Sequence, residues 1–220
     1  MNSKTQKTVV TGPAGSIEAV VDAPELAPGV APRGVVVIAH PHPLFGGTMD
    51  NKVVQALARA FVQCGWQAVR FNFRGVGATE GVYDEGRGEL QDLLAVVQQV
   101  APQGTLALAG FSFGAFVTSH AVQALWPQRA IEKIVLVGTA ASRFAVADIP
   151  PEAHAHTLTL HGEQDDTVPL AAVMDWARPQ TLPVTVIPGG GHFFHGQLPL
   201  LKSLVVRHLR APAASEPDSA

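Results

Sequence analysis

Ser112 lies between two glycines in the stretch G-F-S-F-G, residues 110–114. This G-x-S-x-G pattern follows an apolar run at 105–111 and precedes a helical run that starts near Phe113. Glycines at the two outer positions let a strand and a helix pack closely around a serine in strained backbone geometry. A lone serine could simply cap a helix. The strand before it and the helix after it instead favour a nucleophile elbow, with Ser112 as the nucleophile.

A serine hydroxyl is a weak nucleophile at neutral pH, so it needs a histidine base and a carboxylate that orients the base. Candidates for both follow Ser112 in the chain. Asp165 and Asp166 come after one apolar run, and Asp148 is a weaker third candidate. His192 follows three glycines that allow the backbone to turn back over the strand ends. His195 could equally lie near a helix start, so His192 is the preferred base.

The elements that must position these side chains alternate between short apolar strands and helices. Two β-rich runs, near 8–10 and 17–21, predict an antiparallel hairpin. Further strands are predicted at 34–40, 66–73, 105–111, 133–139, 156–162 and 183–189, with helices at 51–65, 89–100, 113–125, 170–176 and 198–208. Continuous apolar strands separated by helices indicate an α/β fold, with a mostly parallel, twisted sheet of about seven or eight strands and helices on both faces. Ligands of such sheets bind beyond the carboxyl ends of the strands, where Ser112 is expected.

The length of 220 residues suits one domain with a large core, and we predict that domain over residues 1–210. The last ten residues, 211–220, are small and polar with two prolines, which predicts a disordered tail.

Composition argues against several classes of partner. The net charge is −3 and 47% of the residues are apolar, so the basic excess of nucleic-acid-binding proteins is missing. The start of the chain lacks the apolar stretch of a signal peptide, and no run is long enough to span a bilayer. We therefore expect a cytoplasmic protein without a membrane or nucleic-acid partner. One cysteine, Cys64, rules out an internal disulfide.

Five motifs together resemble a known family. G-F-S-F-G, H-G-E-Q-D-D-T-V-P, G-G-G-H-F-F-H-G, A-H-P-H-P-L-F-G-G and F-N-F-R-G-V-G are similar to those of small lidless α/β-hydrolases, in the dienelactone-hydrolase-like and carboxylesterase-like branch. The resemblance implies Ser112 as nucleophile, His192 as base and, from the position H-G-x-x-D, Asp165 as the orienting acid. Dienelactone hydrolases proper have a cysteine at the elbow. The serine in this sequence favours ordinary ester hydrolysis.

Hydrolysis of this kind also needs donors for a developing oxyanion. The backbone N–H of Phe113, directly after the nucleophile, is one by geometry. The second must come from the loop at 40–47, whose prolines have no N–H to donate. The L-F-G run, by its likeness to dienelactone hydrolases, slightly favours Leu44, whereas the match of H-P-H to the H-G-x of other hydrolases favours His42. Phe45 and Phe111 are expected to line the pocket.

Other chemistry fits the sequence less well. The pairs His40/His42 and His154/His156 could ligate zinc only with a third ligand, which the sequence does not provide, so we predict neither a metal nor another cofactor. The glycine-rich segment that starts at Phe71 lacks the spacing of a phosphate or dinucleotide loop. Its charged residues, Arg74 and Glu80, are interpreted as a structural ion pair or as solvated charges.

The predicted function is thus cleavage of small, soluble carboxylic esters or thioesters through an acyl-enzyme, with a small-molecule ester as the partner. The connection at 139–155 is too short for a cap domain, and Pro150 and Pro151 are expected to break any helix there. Two alternatives use the same fold: a binding protein without catalysis, and a peptidase or perhydrolase with the same three residues. The oligomeric state is left open by the sequence.

Overall fold

Strands and helices alternate along the chain, as the sequence predicts. The computed structural model describes residues 5–212, so all but the first two positions of the predicted tail at 211–220 lie outside it. Within that range eight strands form one sheet in the order β1-β2-β4-β3-β5-β6-β7-β8. The strands are β1 Thr5–Gly12, β2 Gly15–Asp22, β3 Val35–Ala39, β4 Gln67–Phe71, β5 Leu106–Phe111, β6 Ile131–Val137, β7 Thr157–Gly162 and β8 Val184–Ile187. The predicted α/β fold is confirmed.

The first two strands form the predicted antiparallel hairpin, with Thr5 opposite Asp22 and Gly12 opposite Gly15. β2 also runs antiparallel to β4, and the remaining neighbours are parallel. Because the parallel strands share a direction, their carboxyl ends meet at one edge of the sheet.

The helices cover both faces of the sheet. They are α1 Lys52–Gln63, α2 Arg87–Val100, α3 Phe113–Leu125, α4 Leu170–Ala177 and α5 Leu198–Arg210. One apolar core lies between the sheet and α1 with α5, and a second lies between the sheet and α2, α3 and α4. Large apolar side chains such as Phe61 and Leu93 are fully buried in these cores. Each such side chain contributes about 1.5–3 kcal/mol to the stability of the fold.

α1 shows how the local sequence sets these elements. Asn51 caps its first turn, where the side-chain oxygen accepts a hydrogen bond from the Val53 N–H at 2.9 Å. Apolar residues recur at helical spacing, so Val54, Leu57 and Phe61 face the sheet and are fully buried. The helix ends at Gln63, and Cys64, which caps it, is half-buried.

No cap domain follows β6. The connection from 138 to 156 contains only a short 3₁₀ helix, Pro151–His156. The prolines were expected to break any helix, but Pro151 is the first residue of this one, where its missing N–H is tolerated. No helix within residues 5–212 is long and apolar enough to cross a membrane.

Side chains from α3, α4 and the turn after α4 hold this connection, residues 138–156, in place. The Ala147 N–H donates to Ser119 Oγ at 3.0 Å, and Trp176 Nε1 donates to the Ala147 carbonyl at 3.3 Å. The Ile149 N–H donates to Gln180 Oε1 at 2.9 Å. Both N–H groups and a carbonyl group of this segment are therefore hydrogen-bonded to side chains outside it.

Candidate active site

Ser112 occupies the sharp turn between β5 and α3. Its backbone has φ 56° and ψ −117°, a conformation that is strained for a residue with a side chain. The Ser112 N–H donates to the Val137 carbonyl at 2.8 Å. A Cβ at Gly110 would overlap the Gly114 carbonyl, and one at Gly114 would overlap the Ala39 carbonyl. The two glycines therefore allow the close approach that the elbow requires.

Three side chains form a hydrogen-bonded chain at the carboxyl edge of the sheet. His192 Nε2 lies 3.0 Å from Ser112 Oγ, and His192 Nδ1 lies 2.7 Å from Asp165 Oδ2. Because a carboxylate accepts only, Nδ1 carries the proton and Nε2 is free to accept from the serine hydroxyl. All three residues are buried. The arrangement can remove a proton from Ser112.

The loop after β7 fixes the carboxylate. Asp165 Oδ1 accepts the N–H groups of Thr167 and Val168 at 2.9 and 2.7 Å, which leaves Oδ2 for His192. Burial alone would raise the pKa of the Asp165 carboxyl, but the hydrogen bonds from His192 and the Val168 amide outweigh it and hold the pKa below its ordinary value. Asp165 is therefore charged at neutral pH.

The alternative candidates do not join this chain of hydrogen bonds. Asp166 is exposed and contacts the Thr167 hydroxyl at 3.3 Å. His195 is also exposed, and Asp148 lies near Gln180. The structure thus brings Ser112, His192 and Asp165 together.

A second imidazole, which the sequence did not reveal, lies beside the carboxylate. His161 is fully buried on β7, with Nε2 2.9 Å from the Val168 carbonyl and 3.5 Å from Asp165 Oδ2. Burial lowers the pKa of His161, so the ring is neutral. Its single N–H donates to Val168 and thereby fixes the loop whose amides bind Asp165.

Two residues whose backbone N–H groups are unpaired in the described part of the chain line the same cavity as Ser112. Within residues 5–212, the N–H groups of Phe113 and His42 have no hydrogen-bond acceptor. The Leu44 N–H already donates to His42 Nδ1 at 3.2 Å, and the Leu44 side chain is 67% exposed. Of the two residues left open by the sequence, only His42 therefore keeps an unpaired backbone N–H among residues 5–212, whereas the slightly preferred Leu44 does not.

An open cavity of about 310 Å³ adjoins these groups. Its lining includes Ser112, His192, His42, Arg143 and the rings of Phe45, Phe113, Phe144 and Phe193. Phe45 is thus placed at the pocket, as expected. Phe111 is not, because it is fully buried behind His192 with the two ring centroids 5.0 Å apart. The prediction that Phe111 lines the pocket is wrong, since its side chain points into the core beneath the site.

Comparison with known proteins places the chain in a family. The family model Hydrolase_4, described as serine aminopeptidase, S33, matches residues 30–174. XC6422 from Xanthomonas campestris, described as an α/β serine hydrolase without lid, is 35% identical and covers 99% of both chains with a TM-score of 0.84. The chain belongs to the lidless α/β serine hydrolases. The resemblance inferred from the five motifs is confirmed.

Two further relatives of this lidless hydrolase come from other bacteria. An α/β serine hydrolase homologue from Coxiella burnetii is 38% identical, covers 93% of this chain and 97% of its own, and has a TM-score of 0.76. Uncharacterized protein RP471 of Rickettsia prowazekii is 40% identical over 117 residues. That alignment spans 50% of this chain and 47% of the curated relative, about half the length of each.

The ring of His42 in this hydrolase links the loop after β3 to the segment that contains Tyr83. Its Nδ1 accepts the Leu44 N–H, so Nε2 carries the proton and donates to the Tyr83 hydroxyl at 3.2 Å. Burial, and then the positive charge of Arg143, lower the pKa of His42 and keep the ring neutral. Tyr83, Arg143 and Phe144 were missed in the sequence. The loop with Arg143 and Phe144 follows a parallel strand, which is the signal that could have indicated it.

The glycine-rich segment that starts at Phe71, at the end of β4, does not contain an ion pair between Arg74 and Glu80. Arg74 does not pair with Glu80: its guanidinium binds both oxygens of Asp92 on α2, at 2.7 and 2.9 Å. Glu80 instead accepts from the backbone and hydroxyl of Ser16 at 2.6 and 2.8 Å. Arg74 is thus in a structural ion pair, but its partner is Asp92 and not Glu80. Glu80 is turned toward the β1–β2 hairpin.

The histidines considered as metal ligands have other partners. His40 is fully buried, with Nδ1 2.6 Å from the Pro41 carbonyl and Nε2 accepting the Phe73 N–H at 3.0 Å. His154 and His156 each contact a backbone carbonyl. Among residues 5–212 no three His, Cys, Asp or Glu side chains are arranged to hold a metal ion.

Proposed function

We propose that this lidless hydrolase cleaves small carboxylic esters or thioesters through an acyl-enzyme on Ser112. The observation that carries the proposal is the hydrogen-bonded chain from Ser112 through His192 to Asp165, which opens onto a cavity. The backbone N–H groups of Phe113 and His42, which have no acceptor among residues 5–212, support it.

The first half of the reaction forms the acyl-enzyme. His192 Nε2 takes the proton from Ser112 as Oγ attacks the substrate carbonyl carbon, and Asp165 stabilises the imidazolium that results. The N–H groups of Phe113 and His42 donate to the carbonyl oxygen as it becomes negative. The C–O or C–S bond then breaks, and the leaving alkoxide or thiolate receives the proton from His192.

The second half releases the acid. Water enters the open cavity, gives a proton to His192 Nε2 and attacks the acyl carbon of the ester on Ser112. The bond to Oγ breaks and Ser112 regains its proton from His192. The enzyme returns to its starting state and the acyl group leaves as a carboxylic acid.

Pocket chemistry favours esters over peptide N-termini as substrates. An aminopeptidase must bind the ammonium group of its substrate, for which a carboxylate is the usual partner. Among the described residues that line the cavity there is no Asp or Glu, and the charged one is Arg143. An ammonium group would therefore meet a like charge in this pocket.

The decisive test is the variant Ser112→Ala, compared with the wild type and with Ser203→Ala. Ser203 is an exposed serine on α5, so its loss is a matched control. We expect the wild type and Ser203→Ala to react with a fluorophosphonate and to hydrolyse 4-nitrophenyl acetate. Ser112→Ala should fold, remain unlabelled and lose at least about 10³-fold in kcat/KM.

Two results would contradict the proposal. If Ser112→Ala keeps the turnover and the label, the nucleophile is another residue. If the folded wild type binds esters, shown by a shift in Tm, and neither hydrolyses them nor takes the label, the chain is a binding protein.

A further inference from the structure

Arg143 gives the cavity its only formal charge among the residues that the structure describes. It lies in the connection after β6, where the N–H groups of Arg143 and Phe144 both donate to the Ala140 carbonyl at 3.2 Å. Both residues of this turn line the same cavity. No carboxylate lines the cavity within residues 5–212 to neutralise the arginine.

Most other arginines of the chain have an acidic partner. Salt bridges of at most 4.0 Å hold Arg33, Arg70, Arg74, Arg87 and Arg178. Arg143 has neither a salt bridge nor a side-chain hydrogen bond to any residue from 5 to 212. Its guanidinium is free to bind a ligand with up to five N–H donors.

The positive charge of Arg143 affects a neighbouring residue of the cavity, His42. It contributes, after burial, to the lowered pKa of His42, which also lines the cavity. Arg143 is itself exposed to water, which screens its charge, so an anion bound there gains only a modest energy beside the aromatic walls of the cavity. Phe45 and Phe193, which are 75% and 44% exposed, extend these walls to the rim.

We propose that the preferred substrates are esters or thioesters that carry a carboxylate or similar anion, which Arg143 binds while the aromatic walls hold the apolar part. This inference rests on the proposed function and names its substrate class. The anion belongs either to the acyl part or to the leaving group, and the experiment separates the two.

The test compares matched esters that differ in charge. For the leaving group, the acetyl ester of 4-hydroxybenzoate is compared with that of 4-hydroxybenzamide. For the acyl part, monophenyl adipate is compared with phenyl hexanoate. Each kcat/KM is divided by the rate of alkaline hydrolysis of the same ester, which removes the difference in intrinsic reactivity. We expect the anionic ester to be favoured about tenfold in one of the two pairs, and less at high salt.

Two variants assign this preference to Arg143. Arg143→Gln should bring the anionic-to-neutral ratio close to one, and Arg143→Glu should invert it. Arg207→Gln is the matched control, because Arg207 is an exposed arginine on α5 without an acidic partner in the described residues. The control should keep the wild-type ratio. A ratio that Arg143→Gln leaves unchanged in both pairs overturns the inference.

A binding measurement keeps this outcome distinct from failure of the proposed function. In the Ser112→Ala background, 4-acetoxybenzoate should raise Tm more than 4-acetoxybenzamide does. Addition of Arg143→Gln should abolish that difference. If no ester is hydrolysed, the proposed function fails, and equal Tm shifts by the two compounds would then reject the anion site as well.

Discussion

The carboxyl group of Asp165 meets two backbone amides on one oxygen and His192 on the other. An asparagine at this position fits the same space, but its NH₂ group would face His192 Nδ1 and favour the tautomer that cannot accept the Ser112 proton. We expect Asp165→Asn to lower kcat by up to about 10⁴-fold, with little change in Tm. Steady-state kinetics with a short-chain ester measures this effect.

The neighbouring Asp166 provides the control for this substitution. Its side chain is exposed and lies outside the hydrogen-bonded chain, so Asp166→Asn should retain nearly full kcat. If Asp166→Asn were instead the more damaging variant, the orienting role would pass to Asp166.

The residues of the site differ in how far the sequence could predict them. Ser112, Asp165 and His192 lie in motifs whose spacing and order along the chain were enough to predict them as nucleophile, acid and base. The choice between Leu44 and His42 depends on which backbone N–H donates to the imidazole of His42. No sequence pattern predicts a side-chain conformation of that kind. Phe111 was misplaced because a residue adjacent to the nucleophile can face the core as easily as the cavity.

Among the elements, the connection after β6 determines how much substrate the site can cover. It adds one short 3₁₀ helix and no cap, and the cavity beside Ser112 holds about 310 Å³. Each buried CH₂ group of an acyl chain contributes about 0.8 kcal/mol, but only while the cavity covers it. We therefore expect kcat/KM for neutral 4-nitrophenyl esters to peak at short chains and to fall for long ones.

A series of esters from acetate to palmitate tests this expectation, below and above the concentration at which micelles form. A kcat/KM value that rises through the long chains, or that jumps when micelles appear, would show that an additional apolar surface binds the substrate.

The sequence predicted the strands and helices well, because they are buried on regular faces. The apolar positions of α1 recur at helical spacing, and the central strands are continuous apolar runs that need cover on both sides. The partner of Arg74 was predicted less well. It depends on which of several nearby carboxylates a long side chain reaches, and only the packing of α2 beside the loop brings Asp92 within range.

For the molecule as a whole, the buried His40 and the half-buried His208 contribute to the response to acid. Burial lowers the pKa of both His40 and His208 to about 4. An unfolded chain protonates these rings near pH 6.5, so between pH 6.5 and 4 the unfolded state binds more protons than the folded state. The free energy of unfolding therefore falls as the pH drops through this range, by up to about 3 kcal/mol for each ring. Asp165, whose pKa is lowered, adds a further loss only at still lower pH.

His208→Gln tests this linkage, because glutamine can still donate to the His156 carbonyl that His208 Nε2 contacts at 3.1 Å. Urea denaturation at pH 7, 5.5 and 4.5 should show a shallower loss of unfolding free energy in this variant than in the wild type. His195→Gln, at an exposed position, should reproduce the wild-type slope. Parallel slopes for all three proteins would show that His208 does not contribute.

The wall of the pocket that carries Arg143 and Phe144 is anchored to α3 through Ser119, to α4 through Trp176 and to the turn after α4 through Gln180. A wall that is already ordered loses little conformational entropy when a ligand binds, so most of that loss falls on the ligand itself. Among substrates with equal contacts, those with few rotatable bonds, such as esters of cyclic or aromatic acids, should therefore bind more tightly than flexible chains. The rigidity of this one segment would then select for shape in the substrate, in addition to its charge and length.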